Sequence, residues 1–249
     1  MKKTVIAAIL AAAMMLGACG SSDSSEKEKS ADSSSSQTQS SQQETSPSVS
    51  SSPDEQTQPS ASESSADNSQ AKSKILVAYF TPAENGKNDA MTSASKTKYQ
   101  GENMGNAAVL AKITADKTGA DLVSIKTVKD YPLDYDDLTD DAKKEQKKGE
   151  LPELETQIDV SGYDTVFVVY PVWWYTMPQP IYSFFDKCDF SGKTLIPITT
   201  HEGSGLADSK EKFKELEPQA TVKDGYSVRG SKVGSAKDDL ESWLTEQGY

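Results

Sequence analysis

The sequence predicts an α/β domain built on a parallel sheet of five strands, behind an export leader and a long polar segment. Three observations carry this reading. Two near-continuous apolar runs, Ile75–Phe80 and Thr165–Tyr170, lack the alternation of a half-exposed strand, and strands buried on both faces sit at the centre of parallel sheets. Strand and helix patterns then alternate from residue 75 onward, the α/β order with right-handed crossovers. Before residue 73 the composition turns serine-rich and polar, which confines the packed domain to residues 73–249, a length suited to one core.

Residues 1–18 read as a leader: Lys2 and Lys3, an apolar run from Val5 to Leu16, then Gly17 and Ala18. The run is too short for an ordinary membrane-spanning helix. Leu16-Gly17-Ala18-Cys19 resembles the lipobox of bacterial lipoproteins. That resemblance implies cleavage before Cys19, lipid on Cys19, and an extracytoplasmic chain anchored to the cell membrane. Residues 19–72 would then be the lipidated cysteine and a disordered tether. From Gly20 to Lys72 there is no aromatic residue and no hydrophobic period, so little apolar burial offsets the entropy of ordering. Stretched at roughly 3.3 Å per residue, such a tether reaches well over ~100 Å.

The formal charge of −12 argues against a nucleic-acid partner, which needs a basic face. It equally argues against flat adhesion to anionic lipid. Cys188, flanked by Phe184, Phe185 and Phe190, reads as a buried thiol with no disulfide partner.

Along the domain, Ile75–Phe80 is the first strand, and Thr81 to Met104 is a polar, irregular stretch. A helix follows from Asn106 to Thr118, with Ala107, Val109, Leu110, Ile113 and Ala115 on its apolar face and Gly119 as its stop. Asp121–Thr127 alternates and suits an edge strand. Tyr131–Asp136 is turn-rich, and Leu138–Lys148 is a charged surface helix. The third strand, Thr165–Tyr170, is followed by a helix from Pro178 to Phe185 that holds Pro180 in its first turn, where proline is tolerated. Thr194–Thr199 is the fourth strand, with an irregularity expected at Pro197. A helix over Ala207–Leu216, a last strand over Thr221–Val228 and a helix over Lys237–Gln247, with Leu240, Trp243 and Leu244 on one face, follow.

Ligands of open parallel sheets sit beyond the carboxyl ends of the strands, so three loops bear comparison. The first runs from Thr81 to the helix start at Gly105-Asn106-Ala107; a hydroxyl, a glycine and helix N-terminal N–H groups make an anion cradle, or simply a capped helix. The second is Pro171-Val172-Trp173-Trp174-Tyr175-Thr176, where one tryptophan suits the core and the remaining aromatics suit a planar ligand. The third is Thr200-His201-Glu202-Gly203-Ser204-Gly205, whose glycines permit close backbone approach. His201 is the only histidine; with a usual pKa of roughly 6.5 it changes charge near neutrality. A binding or tuning role fits it better than a general base, because no nucleophile triad is near and Ser204 is not in a nucleophile elbow.

Taken together, these motifs resemble the flavodoxin family, nearest to the flavodoxin-like proteins of anaerobic, mostly Gram-positive bacteria. The resemblance spans residue 74 to the C-terminus. It implies a three-layer flavodoxin-like fold, strand order 2-1-3-4-5, and bound FMN. Thr81, Gly105, Asn106 and Ala107 would hold the phosphate. Pro171, Val172, Trp173, Trp174, Tyr175 and Thr176, with Thr200, His201, Glu202, Gly203, Ser204 and Gly205, would hold the ring and ribityl chain, Trp174 or Tyr175 touching the ring. The chain departs from the family in its first loop. Some two dozen residues separate Thr81 from Gly105, Met104 precedes the glycine, and Ala107 replaces a threonine. The two missing hydroxyl contacts are worth about 1.5–3 kcal/mol each. Thr92, Ser93, Ser95, Lys96 and Thr97 in the insertion are candidate substitutes. Three functions remain open. One is electron transfer between redox partners at the outer face of the cytoplasmic membrane. The second is FMN-dependent reduction of a quinone-like small acceptor, and the third a flavin-free binding module.

Overall fold

A computed structural model describes residues 74–85, 95–132 and 134–249. The leader, Cys19 and the serine-rich segment lie outside the described residues, as do Thr92 and Ser93. β1 (Ile75–Tyr79) leads to a 3-10 turn (Pro82–Glu84), and β2 (Lys96–Tyr99) and β3 (Glu102–Gly105) precede α1 (Asn106–Thr118). Next come β4 (Asp121–Ser124), α2 (Tyr135–Lys148), β5 (Thr165–Pro171), α3 (Gln179–Lys187) and β6 (Thr194–His201). They are followed by α4 (Ser209–Leu216), β7 (Thr221–Val222), β8 (Tyr226–Arg229), a 3-10 segment (Gly230–Ser235) and α5 (Lys237–Glu246).

The main sheet is parallel and runs β4-β1-β5-β6, with β7 and β8 both paired to β6. β7 and β8 are two pieces of one strand position, so the five positions run 2-1-3-4-5 in three layers, as the resemblance implies. Side-chain alternation on the central strands builds the two cores. Leu76, Ala78 and Phe80 with Val166, Val168 and Tyr170 face α2, α3 and α4, where Leu138, Ile181, Phe184 and Phe213 meet them. Val77, Phe167, Val169, Ile196 and Ile198 face α1 and α5, where Leu110, Ile113, Leu240 and Leu244 meet them. Each large side chain fully buried this way contributes about 1.5–3 kcal/mol. Among the described residues no helix is long and apolar enough to cross a membrane.

Pro197 explains the split fifth position. β7 pairs with Thr194 and Leu195, β8 starts again at Ile198, and Pro197 falls in the gap. Gly225 passes this point so closely that a Cβ would lie 2.3 Å from the Pro197 carbonyl oxygen. The irregularity expected at the proline is therefore a break in its neighbour, and β6 itself stays continuous with β5 through Val168–Pro197.

Other expectations are corrected. The stretch read as irregular contains an antiparallel hairpin, β2 with β3, turned at Gln100 (φ 53°) and Gly101 (φ 91°). The second strand ends at Ser124 and not Thr127, because Asn85 captures Thr127: its Oδ1 accepts the Thr127 N–H at 2.7 Å and hydroxyl at 3.1 Å. α2 starts at Tyr135, three residues early, since the Asp134 carboxylate accepts from Asp136 N–H (2.9 Å) and Asp137 N–H (3.2 Å). α3 reaches Lys187, and α4 starts at Ser209.

Cys188 is buried and donates its S–H to the Ile158 carbonyl at 3.3 Å. Burial, then Glu217 and Asp159, push its thiol up to about 12. Native protein treated with iodoacetamide at neutral pH should therefore show an unmodified Cys188 peptide by mass mapping. The same peptide should be alkylated in guanidinium chloride.

Candidate functional site

The loops after β1, β5 and β6 leave the same edge of the sheet, where the register sets Tyr79 beside Val169 and Pro171 beside Thr200. They surround one cleft of about 600 Å³, within the range of small-molecule sites. The first loop contributes Thr81, Asn106 and Ala107; the second Pro171, Val172, Trp173, Trp174 and Tyr175; the third Thr200, His201, Glu202, Gly203 and Ser204. Gly105, Thr176 and Gly205 are not in the lining. Gly105 sits behind Thr81, the Thr176 hydroxyl pairs with that of Tyr182 at 2.8 Å, and the Gly205 carbonyl accepts the Thr199 hydroxyl at 3.1 Å.

The insertion does not keep the halves of the first loop apart. A Cβ on Gly105 would lie 2.1 Å from Thr81 Oγ1, so only glycine lets the β3–α1 junction close on that threonine. Thr81 is buried, and its Oγ1 accepts weakly from Ala83 N–H at 3.4 Å. One part of the expected N–H cradle is spent: Asn106 N–H donates to the Ser95 carbonyl at 2.8 Å. Among the described residues no side chain caps α1, which leaves the N–H groups of Ala107 and Ala108 for a ligand in its first turn. Of the proposed substitutes, Ser95 lines the cleft. Thr97 packs instead on Gly234, with its Oγ1 2.9 Å from where a Cβ would stand.

The second loop is a two-residue hairpin closed by reciprocal bonds of 3.0 Å between Trp173 and Thr176. Such turns need positive φ at both central residues, and here they are Trp174 (φ 49°) and Tyr175 (φ 63°), where Asn-Gly is usual. Two bulky aromatics held there are strained. Trp173 is the core tryptophan, edge-on to Phe80 (5.5 Å) and Tyr131 (5.4 Å). Trp174 is pinned: Nε1 donates to the Thr139 carbonyl (2.9 Å), its own carbonyl accepts from Gln146 (3.3 Å), and Lys143 lies over its ring at 4.2 Å. Tyr175 is left 77 % exposed at the cleft mouth. Tyr175→Gly should raise the melting temperature by about 2–4 °C, since relief of positive φ is worth about 1 kcal/mol and little packing is lost. A melt at or below that of the parent chain would refute the strain.

α2 is the wall that sequence reasoning missed. Tyr135, Leu138, Thr139 and Ala142 line the cleft, together with Pro82 from the 3-10 turn. The only hint in the sequence is that Leu138 and Ala142 are four apart within an otherwise charged helix.

In the third loop, the Thr200 hydroxyl is buried with no hydrogen-bond partner among the described residues. Gly203 N–H donates to His201 Nδ1 at 2.9 Å, and Arg229 Nη1 donates to the Glu202 carbonyl at 3.0 Å. Val172 N–H donates to the Thr200 carbonyl at 2.8 Å, tying the second loop to the third. Among the described residues no cluster of His, Cys, Asp or Glu could hold a metal ion.

The model of the Flavodoxin family matches residues 99–247. A flavoprotein candidate from Bacteroides uniformis ATCC 8492 superposes with a TM-score of 0.55 at 23% identity, covering 70% of this chain and 98% of its own. Another from Bacteroides eggerthii DSM 20697 gives 0.55 at 25% identity, covering 71% and 99%. No curated protein matches the sequence.

Proposed function

The chain belongs to the flavodoxin family, and from that premise we propose that the three-loop cleft binds FMN and serves electron transfer. The observation that carries this reading is the closure of Gly105 on Thr81, which brings the two halves of the first loop together across a long insertion. Thr81 and the N–H groups of Ala107 and Ala108 hold the phosphate, favoured by the positive end of the α1 dipole. Ser95 adds a polar group that the altered motif lacks. The buried Thr200 hydroxyl gains the partner it needs, which removes a cost of about 1–3 kcal/mol. Trp174 and Tyr175 flank the ring, and the Thr200–Ser204 backbone closes on it.

Bound there, FMN supplies one- or two-electron chemistry. The chain's part is to orient it, exclude water on the α2 side, and leave Tyr175 and the cleft mouth open to a redox protein. With Cys19 lipidated, the domain works from the outer face of the cytoplasmic membrane, and the long tether raises its effective concentration near membrane partners. A basic partner suits the net charge of −12.

A second reading, reduction of a quinone-like small acceptor, is favoured by a neighbouring groove of about 440 Å³. It shares Trp174 and Tyr175 with the cleft and is floored by Thr176, Gln179 and Tyr182. The purified chain should be yellow, or should quench FMN fluorescence stoichiometrically on titration. A colourless protein that leaves FMN fluorescence unchanged refutes the cofactor and favours a flavin-free binding module. Fast turnover with a small quinone, and none with protein acceptors, selects the second reading.

A further inference from the structure

His201 ends β6 beside Arg229 of β8, and its ring borders the cleft. Its Nδ1 is already used: the Gly203 N–H donates to it at 2.9 Å. A nitrogen that accepts a hydrogen bond carries no proton, so the neutral ring must hold its proton on Nε2. The bond also fixes the loop. Gly203 has φ 148°, a conformation open to glycine and strained for other residues, and three further bonds stabilise the same turn: Arg229 to the Glu202 carbonyl, Thr199 to the Gly205 carbonyl, and Ala207 N–H to the Ser204 carbonyl. Of these, only the His201 bond changes with a proton near neutrality, because an imidazolium carries N–H on both nitrogens and repels the Gly203 donor.

We propose that His201 is the positioning residue of the third loop: its neutral ring latches Gly203 through Nδ1, offers Nε2–H to an uncharged acceptor atom of the ligand, and releases the loop when protonated. An N–H donor of this kind pairs with a ring carbonyl or ring nitrogen of a flat heteroaromatic. For that ligand the inference rests on the FMN reading above; the latch itself does not.

The charged groups acting on the ring are Arg229 from β8 and Glu202 from its own loop, and the titratable side chains elsewhere in the cleft lining are Tyr135 and Tyr175. Burial first, and then Arg229, hold the imidazole below 6.5, and Glu202 only partly opposes them. The sign follows: the latch is closed at neutral pH and opens as pH falls through the depressed value.

Because the chain has one histidine, imidazole 15N NMR of the intact protein reads this residue alone. The expected result is an Nε2–H tautomer at pH ~7, a midpoint below the usual ~6.5, and a Gly203 amide shift that titrates with the same midpoint. An Nδ1–H tautomer, a cationic ring at neutral pH, or a Gly203 amide indifferent to the titration overturns the latch. In the FMN arm, affinity should weaken about tenfold from neutral pH to below the midpoint, about 1.4 kcal/mol. His201→Asn keeps an acceptor for Gly203 N–H and has no proton to gain, so its FMN profile should lose the His201 share of about tenfold and keep only the slope set by the FMN phosphate, which titrates near pH ~6 in both proteins. An equally steep profile in His201→Asn overturns the proposal. Failure to bind FMN at any pH refutes the cofactor reading instead, and the NMR arm still decides the latch.

Discussion

Gly105→Ala is expected to weaken FMN binding by roughly ten- to a hundredfold, the worth of one charge-assisted hydrogen bond at about 1.5–3 kcal/mol. It should also lower the melting temperature by about 5 °C, from an overpacking cost of about 1–3 kcal/mol. The cause is a single contact. The new Cβ would stand 2.1 Å from Thr81 Oγ1, 2.9 Å from its Cβ and 3.0 Å from its Cγ2. Thr81 is 1% exposed and has no room to withdraw. Backbone strain contributes nothing, because Gly105 has φ −59°, which alanine adopts freely. A double-mutant cycle isolates the contact: in a Thr81→Gly background, which removes Oγ1, Cγ2 and Cβ alike, the same substitution should cost little stability, while any helix-capping loss is common to both backgrounds. Melts and fluorescence titrations of the four proteins check this. Equal stability losses with and without the Thr81 side chain would show that the two halves of the loop do not meet as described.

That contact also marks the limit of what the residues reveal in order. The central strands were legible because Val77, Phe167 and Ile196 stand in apolar runs that only a doubly covered strand can use. The three loops were legible because their glycines and aromatics have no purpose in plain turns, and thirteen of the residues expected there do line one cleft. The hairpin was not legible. Its strands are four residues each, carry Lys96, Lys98 and Glu102, and turn at a glutamine in the left-handed region. Tertiary packing on the Gly230–Ser235 segment, not local propensity, holds it. α2 was misread for a related reason. Its faces are nearly all charged, and one of its three buried residues is Glu145, which a hydrophobic period never flags.

Glu145→Ala should be among the most damaging single changes on the cleft wall, lowering stability by about 3 kcal/mol and the melting temperature by about 6–12 °C. The carboxylate is 3% exposed. Its Oε1 meets Lys129 at 2.6 Å, its Oε2 accepts the Tyr131 hydroxyl at 2.9 Å, and its backbone carbonyl accepts from Gln179 at 3.2 Å. Removing it strands the Tyr131 hydroxyl, whose pKa is raised by burial first and by Glu145 next. Lys129 keeps Asp141 at 2.6 Å, so its charge is not orphaned, and that bounds the loss. Glu145→Gln should recover part of it by restoring an acceptor for Tyr131. Asp141→Asn, at a 30% exposed site, should cost about 0.5 kcal/mol. Burial works against the Lys129 ammonium, but Asp141 and Glu145 outweigh it and hold its pKa above 10.5. The Lys129 contribution is therefore present at neutral pH and is lost as pH rises through that raised value. The consequence for the site follows from α2 itself. Thr139, Lys143 and Gln146, which pin Trp174, ride on the same helix that Glu145 anchors. Loosening the anchor should shift tryptophan emission and weaken FMN binding although Glu145 does not line the cleft. A Glu145→Ala protein that melts within about 2 °C of the parent, with unchanged emission, would mean that α2 is held to the sheet by Leu138 and Ala142 alone.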